Sequence, residues 1–247
     1  MKFKTIAVAV ATVALSFAAA GTAGAQPLGH LSRHHSSSPP QVSGSRLLSG
    51  LLAPSAFGDG FYFGASLETG HKLLSTHVKS SVSSLSCVGF EGGEPVSDFG
   101  NTAGAAEEFI NPSPLAALSA VPAYGFENVL QFATTSSANT YFSQAEAKYA
   151  ACKFFTEPNP GDNKPGGGTY QVNLLTVSKT SVSGDRGWEA TQSIAESERP
   201  GVTLYINVLY VIADQDVYSL WDVEGSADTF SSGLMINLVH RVQALYR

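Results

Sequence analysis

Hydrophobic and polar positions in the C-terminal half of the chain predict a succession of β-strands. The predicted strands cover residues 169–178, 188–196, 203–213 and 216–223. The links between them, about nine, six and two residues long, suit antiparallel hairpins, because a parallel pair needs a crossover of about a dozen residues or more. The third strand is apolar at nearly every position, so we expect it to be central and covered on both faces.

Apolar spacings of three and four residues predict helices on either side of these strands. The clearest helix covers residues 136–152, with Ser136 or Ser137 as its cap. A final helix is predicted over about 228–246, and a leucine-rich helical segment runs from Arg46 towards Pro54. The apolar stripe of the 136–152 helix consists of Ala138, Tyr141, Phe142, Ala145, Tyr149 and Cys152.

The order of these elements predicts an α+β fold. Residues 125–133 read as a further strand, whereas residues 64–86 are ambiguous between helix and loop. Sheet strands with short links, followed by a helix with one apolar face, are typical of an antiparallel sheet covered by helices. We therefore expect an antiparallel meander sheet packed against helices, in a single domain.

The N-terminus has the pattern of a secretory signal peptide. Lys2 and Lys4 precede an uncharged, mostly apolar stretch, and Ala23-Gly24-Ala25 supplies the small residues of a cleavage site. The apolar stretch is shorter than the roughly 20 residues of a membrane span. We expect cleavage after Ala25, a disordered leader over residues 26–45, a domain over 46–247 and no membrane span in the mature protein.

Composition excludes several classes of function. Charged residues make up 14% of the chain and the net charge is −6; loss of Lys2 and Lys4 makes the mature chain more acidic. Binding of nucleic acid requires clustered Lys and Arg, so we expect no nucleic-acid partner. A hydrophobic content of 43% excludes collagen-like and fully disordered chains.

The two cysteines, Cys87 and Cys152, predict a structural disulfide. An even number of cysteines in an exported chain is most simply paired, and here only one pairing is possible. The bond would connect a glycine-rich loop to the end of the 136–152 helix. A redox-active pair is the alternative, but it usually requires a C-x-x-C spacing, which is absent.

The sequence contains no familiar catalytic motif. It lacks a G-x-S-x-G elbow, H-E-x-x-H, a Walker A loop and G-x-G-x-x-G. We therefore expect no catalytic residue, no metal and no cofactor. The alternative is a hydrolase in which His71 or His77 acts as the base. His240 is expected at the surface. Asp214 and Asp216 are interpreted as turn residues. The pair at 107–108 (Glu-Glu) is interpreted as a solvated face.

Aromatic residues on neighbouring predicted strands are candidate ligand contacts. These are Trp188, Tyr205, Tyr218 and Trp221. If they faced one cleft, they would line an apolar site with polar tips. The alternative is that they form the core beneath the helices.

Several motifs follow one another along the chain: Leu51-Leu52, Gly60-Phe61, Leu85-Ser86-Cys87, and the strand–helix unit from Leu130 to Ala138 continuing through Tyr141-Phe142 and Tyr149 to Cys152. These motifs and the order of the elements resemble the PknH-like extracellular sensor domain family of mycobacterial Ser/Thr kinases and its stand-alone secreted actinobacterial relatives. The resemblance covers residues 46–247 and includes the strand meander and the closing helix.

This resemblance implies an α+β domain whose cleft receives an extracellular ligand, without catalysis. Kinase members carry a kinase domain, a membrane helix and a second disulfide, none of which this sequence contains. We accordingly expect a secreted, non-catalytic, sensor-like domain that binds an unknown small or envelope-derived ligand, with an envelope protein as a further candidate partner. The alternatives are a carrier of lipid-like envelope molecules and a hydrolase.

Overall fold

The fold is built on one antiparallel sheet. The structure, a computed structural model, describes residues 41–57, 61–69, 87, 100–111, 124–158, 169–196, 201, 203–224 and 232–247. The predicted signal peptide, most of the leader, His71 and His77 lie outside these residues. The strands are β1 (Tyr62–Thr69), β2 (Asn101–Ile110), β3 (Tyr124–Phe132), β4 (Phe154–Pro158), β5 (Thr169–Val182), β6 (Asp185–Glu196), β7 (Thr203–Ala213) and β8 (Asp216–Glu224).

The sheet consists of two meanders joined at one strand pair. In space the strands are ordered β1-β2-β3-β8-β7-β6-β5-β4, with every neighbouring pair antiparallel. β1 to β3 form one meander and β4 to β8 the other. β7 lies inside the sheet and its residues 206–213 are all buried, which confirms the prediction of a central strand covered on both faces.

Helices cover both faces of the sheet. They are α1 (Gly44–Leu48), α2 (Thr135–Ala151) and α3 (Ser232–Gln243). One core forms between the sheet and α2, and contains Trp188, Tyr210 and Trp221. The second lies between the sheet and α1 with α3. We call these two sides the α2 face and the α3 face. The α+β class is as predicted.

The N-terminal ends of α1 and α2 differ from the predicted ones. α2 is capped by Thr134, whose side chain accepts a hydrogen bond from the Ser137 backbone N–H at 3.1 Å, rather than by Ser136 or Ser137. α1 begins at Gly44 and is capped by Ser43, within the segment that the sequence assigned to the leader. In each case the residue immediately before the first helical turn has the extended backbone and side-chain oxygen that a cap requires.

Three features of the sheet were not predicted. β2 reads Asn-Thr-Ala-Gly-Ala-Ala-Glu-Glu-Phe-Ile, and its alanines, glycine and glutamates have low strand propensity. Pairing with strands on both sides outweighs that propensity. β4 was also missed. β5 continues to Val182, so its link to β6 is a two-residue turn at Ser183-Gly184 with φ of 55° and 94°, as in a type I′ hairpin.

The predicted disulfide is present and anchors the end of α2. Cys87 and Cys152 are bonded, with their Cα atoms 5.5 Å apart. Cys152 is the C-terminal cap of α2 and is 4% exposed, which agrees with its predicted place on the buried stripe. Among the described helices, none is both long and apolar enough to span a bilayer.

Candidate functional site

A row of polar side chains crosses the α2 face of the sheet. Asn128 on β3 lies opposite Ser219 on β8, Ser219 lies opposite Tyr210 on β7, and Tyr210 lies opposite Trp188 on β6. Adjacent strands are about 4.8 Å apart, so the row is roughly 14 Å long. We call these four residues the polar row.

The polar row is buried and its hydrogen bonding is incomplete. Asn128, Ser219 and Trp188 are at most 3% exposed. Within the part of the chain that the structure describes, Asn128 Oδ1, Ser219 Oγ and Trp188 Nε1 have no hydrogen-bond partner, and neither does Gln192 Oε1 further along β6 on the same face. Burial of an unpaired polar atom costs about 1–3 kcal/mol, so a concentration of such atoms calls for a functional explanation.

Apolar residues flank the row on both sides. The neighbouring positions on the same strands are Phe126, Trp221, Val208 and Ala190 on one side and Leu130, Val217 and Ile212, together with the charged Arg186, on the other. No charged side chain belongs to the row itself. The flanking Arg186 is exposed, and its guanidinium lies over the Phe142 ring and donates to Asn139 Oδ1. An ion placed here would be deprived of water without a counter-charge, which is strongly unfavourable.

α2 covers one end of the polar row with aromatic rings. The Trp188 and Tyr210 rings stack with their centroids 4.3 Å apart, and Tyr149 of α2 lies 5.1 Å from the Trp188 ring. Tyr149 is one turn before Cys152, so the disulfide fixes the part of α2 that lies over Trp188. The described part of this interface is therefore closely packed.

A second polar cluster lies on the α3 face and is made of carboxyl groups. Glu107 on β2 and Glu127 on β3 are directly opposite each other. Burial raises the pKa of Glu107 to about 7 and the pKa of Glu127 to about 8. The interpretation of residues 107 and 108 as a solvated face is therefore wrong: Glu108 is 7% exposed, because β2 is an internal strand of the sheet.

Asp216 belongs to a hydrogen-bonded network on the α3 face. Its Oδ2 accepts hydrogen bonds from the hydroxyls of Tyr246, at 2.5 Å, and Tyr218, at 3.3 Å. Gln131 Nε2 in turn donates to the Tyr246 hydroxyl at 2.7 Å. Burial, opposed by these hydrogen bonds, raises the pKa of Asp216 to about 6. Asp214 is exposed with φ of 55°, as a turn residue would be, whereas Asp216 is buried.

The four predicted aromatic contacts do not share one cleft. Trp188 and Trp221 belong to the core of the α2 face, and Tyr218 belongs to the core of the α3 face. Tyr205 is partly exposed and has the same strand parity as Leu209 and Val211, so it lies on the α3 face. The two faces are separated by the sheet, so these residues cannot contact one ligand together. A binding role for any of them individually stays a prediction.

A shallow depression of about 170 Å³ contains the remaining candidate groups of the α3 face. It is lined by Val182, Ser183, Asp185, Ile236, Val239, His240 and Gln243. His240 is exposed, as predicted. Among the described residues, no hydrogen bond joins Ser183, Asp185 and His240. Among the described residues, no group of three or more His, Cys, Asp or Glu side chains is placed to hold a metal ion.

The polar row was not predicted from the sequence, although strand alternation already indicated one buried polar side chain beside it. In β6, Trp188, Ala190 and Gln192 have the same parity, so an inward-facing glutamine followed from alternation. Asn128 and Ser219 belong to strands that are distant in sequence. Their juxtaposition depends on the β3–β8 register, which alternation does not determine.

Comparison with known proteins identifies a shared fold. No protein-family model matches the chain, and no curated protein matches it. Among solved structures, the crystal structure of the extracellular domain of PknH from Mycobacterium tuberculosis is similar, with a TM-score of 0.57 and 14% sequence identity. The match covers 83% of this chain and 99% of that domain. At this identity the similarity demonstrates the fold alone.

Proposed function

We propose that this protein is an extracytoplasmic, sensor-like domain that binds an uncharged, hydrogen-bonding small molecule at the polar row. The observation that carries the proposal is the set of buried, unpartnered atoms at Asn128, Ser219 and Trp188. The disulfide and the fold shared with the extracellular domain of PknH support an extracytoplasmic location. The predicted signal peptide supports it as well.

The chemistry of the row favours one class of ligand. It offers the indole N–H as a donor, the amide oxygen as an acceptor and the serine hydroxyl as either. A molecule with hydroxyl or amide groups would satisfy all three, whereas an alkyl chain would leave them unpaired. This argues against a carrier of lipid-like molecules. An anionic ligand is disfavoured because the row itself contains no cation, and the flanking Arg186 is exposed and already donates to Asn139 Oδ1.

Access to the row requires movement of the segments that bury it. Since Trp188 is fully buried and Tyr149 packs beside it, binding at that end displaces part of α2. The bound state would then recover hydrogen bonds that the closed state lacks. The closed state leaves these polar atoms unpaired, whereas a bound ligand pairs them in the open state. The ligand therefore shifts the equilibrium towards the open state.

The test uses Ser219→Ala, which removes one unpartnered hydroxyl. Because that hydroxyl has no partner, we expect the melting temperature of the free variant to equal or exceed that of the wild type. The oxidised mature protein is examined by thermal shift with uncharged probes (trehalose, N-acetylglucosamine, glycerol), anions (phosphate, citrate) and palmitate. We expect a stabilising shift from at least one uncharged probe that Ser219→Ala reduces at least tenfold in affinity.

The matched control is Ser193→Ala, which removes a half-buried serine on the other face of β6. It should retain the probe response of the wild type. Native mass spectrometry of the protein purified from its own culture medium identifies any co-purifying ligand by mass. A Ser219→Ala variant that is less stable, with no probe shifting the wild type, would mean that the row holds only structural water and would refute the proposal.

A further inference from the structure

The N-terminal strap, residues 42–52, is held on the α3 face through its backbone. The Val42 N–H donates to Gln131 Oε1 at 2.9 Å. The Leu52 N–H donates to both carboxyl oxygens of Glu127, at 2.9 and 3.0 Å. Near the same end, Arg241 Nε of α3 donates to the Gly50 carbonyl at 3.1 Å. Two ionisable side chains, Glu127 and Arg241, therefore bind the strap near its C-terminal end.

The carboxyl group that anchors Leu52 is an unusual place for a negative charge. Glu127 is fully buried, and its cross-strand neighbours are Glu107 and Leu220. Arg241 is the cation near it, but Arg241 is exposed and therefore partly screened by solvent. The strap adds no charge there, since its Arg46 donates to the Leu245 carbonyl. When both glutamates are ionised, one exposed guanidinium faces two carboxylates.

We propose that the strap is a proton-sensitive clasp, docked most tightly at acidic pH and loosened as the Glu107–Glu127 pair becomes fully ionised. Ionisation of Glu127 beneath the strap places an incompletely compensated charge in a dry site. Loosening of the segment around Gly50 and Leu52 admits water to that charge. Leu47, buried in α1, keeps its apolar contacts at every pH, so the strap loosens locally and does not leave.

The direction of the pH dependence follows from the protonation of the docked state. Burial, together with the Glu107 charge, raises the pKa of Glu127 to about 8, against the opposing effects of the Leu52 hydrogen bond and Arg241. The docked form thus keeps a proton that a solvated carboxyl loses above its ordinary value near 4.5. The equilibrium constant for docking of the strap is largest below that ordinary pKa. It falls by up to about tenfold per pH unit as pH rises, and becomes constant above about pH 8.

The test is the amide hydrogen exchange of Gly50 to Leu52 in the full mature chain, measured from pH 5 to pH 9. Rates are expressed as protection factors, which remove the intrinsic effect of pH on exchange. In the wild type we expect the Leu52 protection factor to fall by up to about tenfold per unit between pH 6 and pH 8. In Glu127→Gln, which keeps an acceptor oxygen and cannot ionise, we expect it to stay constant.

Two further variants complete the design. Glu107→Gln should keep a decline but level off at lower pH, because burial still raises the pKa of Glu127 while the Glu107 charge no longer adds to it. Glu146→Gln, on α2 at the other face, should behave as the wild type. A wild-type protection factor that is constant from pH 5 to pH 9, or an equal decline in Glu127→Gln, would overturn the proposal.

Discussion

Replacement of both Cys87 and Cys152 by alanine is expected to lower the free energy of unfolding by about 4 kcal/mol. The bonded residues are separated by 65 positions, and the chain-entropy model assigns roughly this value to a loop of that length. Alanine is chosen because Cys152 is buried, and a serine hydroxyl there would add an unrelated desolvation cost. Urea unfolding monitored by tryptophan fluorescence measures the difference, since Trp188 is buried against Tyr149 of α2.

Reduction of the wild type is the control for the cysteine variant. Treatment with a reductant should reproduce the loss of stability, whereas the alanine variant should be insensitive to it. The destabilising effect of losing the disulfide should extend to the polar row, because the last turn of α2 places Tyr149 beside Trp188. If the variant lost less than about 1 kcal/mol, the disulfide would not constrain the unfolded chain as inferred.

The features that the sequence predicted are those encoded by local patterns. Strand alternation located most of β5 to β8, and apolar spacing located α2 and the final helix. The pairing of Cys87 with Cys152 followed from cysteine count and compartment. Each of these inferences uses residues close together in sequence, or chemistry that permits one partner only. Long-range register was not needed for any of them.

The two polar clusters depend on long-range register, which explains why they were missed. Glu107 meets Glu127 because β2 pairs with β3, and β2 is a strand that its own alanines and glutamates do not favour. Asn128 meets Ser219 through the β3–β8 pair that joins the two meanders. These contacts are set by the tertiary structure, and no spacing along the chain indicates them.

One error about the aromatic residues was avoidable from the sequence. Tyr218 and Trp221 are three positions apart in β8, and side chains at an odd spacing in a regular strand point to opposite faces. They could not both line one cleft. The assignment of all four aromatics to a single site used strand neighbourhood without parity, and the structure places Tyr218 in a hydrogen bond with Asp216 on the α3 face.

Substitution of Gly125 by alanine is expected to destabilise the fold by about 3 kcal/mol or more, at or beyond the upper end for overpacking. A Cβ atom at this position would lie 2.3 Å from the Trp221 carbonyl oxygen and 2.4 Å from Phe109 Cζ. The carbonyl belongs to the paired backbone of β8 and cannot yield without breaking the ladder. Phe109 is also constrained, because its ring stacks on Phe57 with centroids 3.7 Å apart.

The matched control is Gly100→Ala, where φ is 84° but no atom of the described residues lies within 4 Å of the added Cβ. That variant incurs only backbone strain of about 1–2 kcal/mol, so in thermal or urea unfolding Gly125→Ala should be much less stable than Gly100→Ala.

Phe57 follows the strap, so displacement of Phe109 in Gly125→Ala should also speed the hydrogen exchange of strap amides. This acceleration should be equal at pH 5 and pH 8, because it arises from packing and not from ionisation of Glu127. An acceleration confined to high pH would show that the Phe57 contact does not support the strap.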